Sequence, residues 1–298
     1  MSKSLFRGVF PAIITPFNSA GDIDFDALKE VVRFQINNSV HGFFACGTVG
    51  EGALMSISQR KAAVEAIIKE AGGKVPVVAH VGTTNTDECI DLAKHAEKSG
   101  AKAIGVITPY FFKPDIEGLM IHYQAIAEAV NIPVFAYNIP QLTGFNLTPE
   151  IFRRLCAIER LAGIKDSSGN LSQIQEIIDT APKSITVING ADDIFLAALI
   201  VGASAEISGI ANVAPELMVE LYEAYRENDY AKALRLQRKV NALRRILYTT
   251  GPSNIAMIKA ALELRGVKAG LPKKPLRPLN RDELSRLKEK LGGLNLYW

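Results

Sequence analysis

A (β/α)8 barrel followed by a helical tail is the fold this sequence predicts, and three observations predict it. Short runs rich in β-branched and aliphatic residues recur eight times, amphipathic stretches separate them, and the strand signal stops after Asn212. Strands that alternate with helices, with starts about 20 to 33 residues apart, need parallel pairing and crossover helices. Eight such units ending in closure give a barrel. The open doubly wound sheet competes with it, but a GxGxxG turn should then follow the first strand. Pro16-Phe17-Asn18 stands there instead, and there is no Walker lysine.

The strands are expected at residues 9–15, 42–46, 75–81, 103–107, 134–137, 162–165, 186–188 and 205–208. Helical patterns fall between them at 24–37, 58–70, 86–99, 115–130, 149–156, 171–179 and 192–200. Asn85-Thr86-Asp87 reads as a helix start, with a capping hydroxyl and an acidic first turn. Thr148-Pro149-Glu150 reads as another, with proline at the first helical position. Four more helices are expected at 216–228, 230–248, 253–264 and 281–291, divided by turn chemistry at Asn228-Asp229, Gly251-Pro252 and residues 272–278. The chain therefore divides into a catalytic barrel, 1–212, and a helical region packed on it, 213–298.

Composition removes several classes of function. The net charge is only +3, from 34 basic and 31 acidic residues that are interspersed, so nucleic acid is a poor partner. Cys46, Cys89 and Cys156 lie far apart and His41, His80, His95 and His122 show no ligand spacing, so no metal site or disulfide framework is expected. His80 ends an apolar run and could face a site, although packing is the commoner role of a lone histidine. The N-terminus has no apolar signal core and no run reaches membrane-spanning length, so a cytoplasmic protein is expected.

In such a barrel the chemistry collects where strand C-termini meet the following loops. Lys165 closes the apolar run Leu161-Ala162-Gly163-Ile164 and precedes Asp166-Ser167-Ser168-Gly169. The bland reading is a lysine that snorkels to solvent. The other is a desolvated amine, freed to attack a carbonyl. Five further strand ends carry polar or Gly-rich clusters: Gly47-Thr48-Val49-Gly50-Glu51, Thr108-Pro109-Tyr110-Phe111, Tyr137-Asn138-Ile139-Pro140, Gly190-Ala191-Asp192-Asp193, and Ile207-Ser208-Gly209. Each alone is weak, since a Gly-rich turn is often only a tight turn. Together they suit an amine that forms an imine with a 2-oxo acid, an electron sink for a carbanion at the next carbon. Tyr137 can move a proton on the substrate hydroxyl if Thr48 holds or relays it. Backbone N–H groups of the 47–51 turn suit a carboxylate. No metal or other cofactor is called for, because the imine performs the polarisation.

GTxGE from residue 47, YNIP with its tyrosine at 137, and IKDSSGN with its lysine at 165 resemble the class I pyruvate-dependent aldolases typified by N-acetylneuraminate lyase and dihydrodipicolinate synthase. Gly8-Val9-Phe10-Pro11-Ala12, Thr15-Pro16-Phe17 and Ser208-Gly209-Ile210-Ala211-Asn212 also fit, so the resemblance runs from residue 8 to about 265. It implies a TIM barrel with a helical extension, a homotetramer built as a pair of tight dimers, and a small 2-oxo acid and aldehyde as substrates. It also implies Lys165 as the imine former, Tyr137 as proton shuttle and Thr48 as its hydroxyl partner. Val49, Gly50, Ser167, Gly190, Ile207 and Ser208 fall at substrate-binding places.

Departures from the family pattern shape the substrate expectation. Synthases have an arginine two residues after the YNxP proline that holds the aldehyde's carboxylate. Leu142 occupies that place and cannot make the charge-assisted contact. Val49 replaces the second hydroxyl of the G-[ST]-T-G-E turn, removing a hydrogen bond worth roughly 1.5 to 3 kcal/mol to a charged acceptor. Phe111 replaces the tyrosine that reaches across the dimer interface, with Tyr110 as a substitute. Asp192-Asp193 resembles the acidic pair that holds sugar hydroxyls in the lyases; a helix N-cap with an acidic first turn is the other reading. The expectation is an aldolase that reversibly cleaves a 2-keto-3-deoxy sugar acid to pyruvate and an aldehyde. The alternatives are N-acetylneuraminate lyase, condensation of pyruvate with aspartate semialdehyde, and a non-enzymatic 2-oxo-acid binding protein.

Overall fold

The computed structural model describes residues 5–294 and Leu296. Its strands are β1 Gly8–Pro11, β2 Phe43–Ala45, β3 Val77–His80, β4 Ala103–Ile107, β5 Val134–Asn138, β6 Leu161–Asp166, β7 Thr186–Asn189 and β8 Ala205–Ser208. They form one sheet in the order β1-β8-β7-β6-β5-β4-β3-β2, and each ladder is parallel. The two end strands meet where the Ile13 N–H donates to the Phe44 carbonyl at 3.1 Å and the His41 N–H donates to the Val9 carbonyl at 2.9 Å. The sheet is thus rounded into the expected barrel. Burial on both faces explains why the strands read as nearly continuous apolar runs rather than as alternating ones.

The first strand is shorter than the expected 9–15. Pro11 has no N–H to give the ladder, and side chains then take over the pairing. Asn212 accepts from the Ile14 N–H at 3.0 Å and donates to the Ala12 carbonyl at 2.9 Å, while the Thr15 hydroxyl donates to the Gly50 carbonyl at 2.9 Å.

The helices between strands are α1 Phe25–Asn37, α2 Ile57–Ala71, α3 Thr86–Ser99, α4 Ile116–Glu128, the single turn α5 Pro140–Thr143, α6 Pro149–Leu155, α7 Leu171–Thr180 and α8 Phe195–Ile200. The cap of α3 is the Asn85 side chain, which accepts from the Glu88 N–H. The Thr86 hydroxyl, expected to cap, instead meets His122 Nδ1 at 3.0 Å. Thr148 does cap α6, ahead of Pro149 at the first position. The helix expected over 192–200 divides into a 3-10 turn, Asp192–Ile194, and α8, and no side chain caps the 3-10 turn. The capping role considered for Asp192 and Asp193 is therefore not taken.

The tail supplies α9 Pro215–Arg226, α10 Tyr230–Thr249, α11 Asn254–Leu264 and α12 Arg281–Gly292. One apolar cluster runs from Phe10 and Ile164 in the barrel to Leu243, Ile258 and Leu287 in these helices. A buried ion pair, Lys259 with Glu51, ties α11 to the turn after β2. No helix among the described residues is long and apolar enough to cross a membrane.

Candidate active site

Register brings the three expected catalytic residues together. Lys165 on β6 pairs with Tyr137 on β5, and neighbours paired across a sheet point to the same face. Lys165 is 4% exposed. Its Nζ lies 3.9 Å from the centroid of the Tyr137 ring and 4.5 Å from that of Phe44. The bland reading of a lysine reaching solvent is not what the chain does. Tyr137 is buried, and its hydroxyl meets the Thr48 hydroxyl at 3.1 Å. His80 stacks edge-on against the Tyr137 ring at 5.7 Å.

The ends of the strands hold these groups in place. Asp166, fully buried, accepts from Asn138 at 2.9 Å and from Gln173 at 2.7 Å. That network fixes the β6 terminus one residue beyond the lysine. Gly190 donates its N–H to the Asp166 carbonyl at 2.8 Å. A Cβ on Gly190 would stand 2.1 Å from Ser167 Oγ and 2.8 Å from Lys165 Cε. Close approach, not left-handed backbone, is what requires glycine here. The Ser167 hydroxyl is buried and has no partner among the described residues, so it is available to a ligand. Val49 and Gly50 are buried beside Thr48, which is half-buried.

Other expected residues take different positions. Ile207 and Ser208 are buried on β8, and the Ser208 hydroxyl donates to Asp192. Asp192 is buried and pushed up to about 6 by burial, with the Ser208 hydrogen bond opposing. Asp193 faces water and stands 3.4 Å from Arg244. Tyr110 is half-buried, whereas Leu142 is 60% and Phe111 84% exposed. The structure does not bring those last two into the buried cluster around Lys165. Phe111 also has φ +74°, and Cys46 and Glu51 beside the Thr48 turn are positive as well. Such conformations cost on the order of 1–3 kcal/mol each and collect at ligand sites.

Several polar groups here escaped the sequence reading. Glu206 on β8 is fully buried, accepts from Asn189, and burial holds its carboxyl well above the usual carboxylate range, with Asp192 adding to the effect. An acidic residue inside a buried strand run was the signal for it. Arg60 is buried, donates to the carbonyls of His80 at 2.7 Å and Gly82 at 3.0 Å, and helps to keep His80 neutral after burial has done most of that. Tyr248 comes from α10, far along the chain, and no strand-end rule points to it. Among the described residues, no group of three or more His, Cys, Asp or Glu is placed to hold a metal ion.

The sequence profile of the dihydrodipicolinate synthetase family matches residues 5–293. The chain belongs to this family. A 4-hydroxy-tetrahydrodipicolinate synthase of Desulfotalea psychrophila is 41% identical over 98% of this chain and 97% of its own. Among solved structures, YagE, a prophage protein of the dihydrodipicolinic acid synthase family from E. coli K12 in complex with pyruvate, superposes with TM-score 0.95 at 31% identity, covering 98% and 99% of the two chains. A catalytic lysine mutant of the Ruminococcus gnavus sialic acid aldolase gives TM-score 0.94 at 29% identity, covering 98% and 96%. The resemblance read from the GTxGE, YNIP and IKDSSGN motifs and the TIM-barrel fold are both confirmed. The protein is a pyruvate-dependent carbon–carbon lyase of the class I aldolase type, an enzyme rather than a binding protein.

Proposed function

We propose that Lys165 forms an imine with pyruvate and that the resulting enamine joins an aldehyde in a synthase-type condensation. The observation that carries this is the amine held against the Tyr137 ring while the Tyr137 hydroxyl meets Thr48. The amine adds to C2 of pyruvate and water leaves to give the imine. Tyr137, having given its proton to the departing hydroxyl, takes up a C3 proton to give the enamine, whose carbon attacks the aldehyde carbon. Tyr137 then delivers a proton to the new alkoxide oxygen, Thr48 holding the phenol in line, and water hydrolyses the imine to free Lys165. The Ser167 hydroxyl and the N–H groups of the Val49-Gly50 turn are the proposed donors to the pyruvate carboxylate, with no metal or other cofactor. Gly190 leaves room for the lysine, and Ile207, Ser208 and Asp192 are the proposed lining on the β8 side.

The curated relative's name favours aspartate semialdehyde as the aldehyde over the sugar-acid cleavage expected from the sequence. The sugar-acid reading keeps one specific support: the place of the synthases' arginine is Leu142, apolar and exposed. Exposed Phe111 and Phe112, 84% and 75% accessible, support a contact between copies of the chain; the homotetramer expected from the resemblance stays a proposal, and sedimentation gives the mass. Cytoplasmic location remains part of this proposal.

Borohydride added with pyruvate should leave a covalent adduct on Lys165, and Lys165→Ala should take up none. Wild-type protein at its native mass after that treatment sinks the mechanism. Parallel assays with aspartate semialdehyde and with 2-keto-3-deoxygluconate separate condensation from sugar-acid cleavage.

A further inference from the structure

The condensation just proposed has an unmet requirement. An aldehyde with an anionic group needs a cation at the barrel mouth, and Leu142 supplies none. Helix α10 brings one there. Gln237 anchors the helix to the turn after β7, donating to the Asp192 carbonyl at 2.8 Å and accepting from the Leu196 N–H at 2.8 Å. Arg244 is seven residues on, and Tyr248 four beyond that, so all three share one helix face. The Arg244 guanidinium lies 4.9 Å over the Tyr248 ring. The Tyr248 hydroxyl abuts the end of β8: a Cβ on Gly209 would stand 2.2 Å from it, with Val49 Cγ2 3.6 Å from the same point. Burial pushes the Tyr248 phenol upward and Asp192 adds to it, while a side-chain hydrogen bond with Asn254 and the Arg244 charge oppose.

Arg244 is not saturated by its neighbours. Its contact with Asp193 is 3.4 Å long, and the arginine side chain is 33% exposed. A charge-assisted hydrogen bond runs about 2.7–2.9 Å, and a guanidinium has five donors. We propose that Arg244, with the Tyr248 hydroxyl beside it, holds the negatively charged group of the aldehyde partner, the task Leu142 cannot perform. The Tyr248 hydroxyl reaches the wall where Val49 has no hydroxyl to offer. Asp193 holds the guanidinium on this side until the anion arrives. Lys113 is the rival cation: its Nζ lies 2.9 Å from where a Cβ on Gly144 would stand. It is exposed, however, in a run with exposed Phe111 and Phe112.

This inference rests on the imine reading and is tested separately from it. Borohydride trapping with pyruvate first reports on Lys165 alone; its failure removes the proposed function itself. Condensation rates are then measured with aspartate semialdehyde, glyceraldehyde 3-phosphate and uncharged glyceraldehyde. The first two distinguish a carboxylate from a phosphate as the anion. Arg244→Met should lower the ratio of kcat/KM for the preferred anionic aldehyde to that for glyceraldehyde by about 10- to 100-fold, mostly through KM, as loss of a charge-assisted contact predicts. Arg244→Lys should restore part of the ratio, Tyr248→Phe should lower it less, and Lys113→Met should leave it in place. A wild-type enzyme with no preference for either anionic aldehyde overturns the proposal. So does an Arg244→Met ratio equal to the wild-type one, or a drop in the Lys113→Met ratio instead.

Discussion

Gly190→Ala probes the packing that holds Lys165, the proposed nucleophile. The added methyl would lie 2.8 Å from Lys165 Cε and 2.1 Å from Ser167 Oγ, whereas carbon atoms in contact keep about 3.5–4.0 Å. Ser167 can turn its hydroxyl aside. Cε has less freedom, since the Nζ beyond it lies against Tyr137 and Phe44. Restoring contact distance from the observed 2.8 Å moves it by roughly 0.7 Å. A misplacement near 1 Å at a reacting centre costs on the order of 10²-fold in rate, so imine formation should slow by about that factor. Overpacking should remove about 1–3 kcal/mol of stability, leaving a folded protein. The assay is the rate of borohydride-trapped adduct under saturating pyruvate, alongside a thermal melt. A folded Gly190→Ala enzyme that traps at the wild-type rate would refute the reasoning. Recovery in Gly190→Ala/Ser167→Ala would show that the serine, not the lysine, was the obstacle.

Tyr137→Phe should keep the trapped adduct yet slow turnover by about 10²–10⁴-fold, the usual worth of a positioned acid–base group; unchanged turnover would clear the phenol of any proton transfer. Lys259→Met strands the Glu51 carboxylate in the interior, where both partners are only 2% exposed. Breaking such a pair costs about 3–5 kcal/mol, visible as a lower urea midpoint, and Glu51→Gln added to it should recover part of the loss. Burial pushes His122 down to about 4 from 6.5. The unfolded chain then takes up a proton as pH falls through 6.5, while the folded chain refuses it until about 4. Stability should therefore be full above that window and decline by about 3 kcal/mol across it on acidification. Urea melts of His122→Gln over the same range should show a flatter acid limb, and an identical limb would remove His122 as its cause.

What was legible in the sequence is what local pattern encodes. The beat of apolar runs and amphipathic stretches gave eight strands and the helices between them, because burial on both faces of a strand and one face of a helix leaves its mark within a single element. Strand ends then grouped Lys165, Tyr137 and Thr48, since a parallel barrel puts all its C-terminal ends on one rim. The limits of β1 were not legible: its last pairings pass to Asn212, about 200 residues away. Arg60 beneath His80, and Tyr248 against Gly209, were hidden for the same reason. Each is a long side chain reaching across elements whose relative placement no spacing records.

That difference also bears on where specificity lies in this enzyme. The end of the site around Lys165 and Tyr137 is built from strand termini held in register by the barrel's parallel ladders. Its mouth is lined in part by α10, which is held to the barrel through Gln237, apolar packing and an arginine contact 3.4 Å long. On the proposal for Arg244, a change on this helix should alter what the mouth accepts without moving Lys165 or Tyr137. A chain that lacks a cation at Leu142 can recover one from the helical tail, and leave the barrel's chemistry as it was.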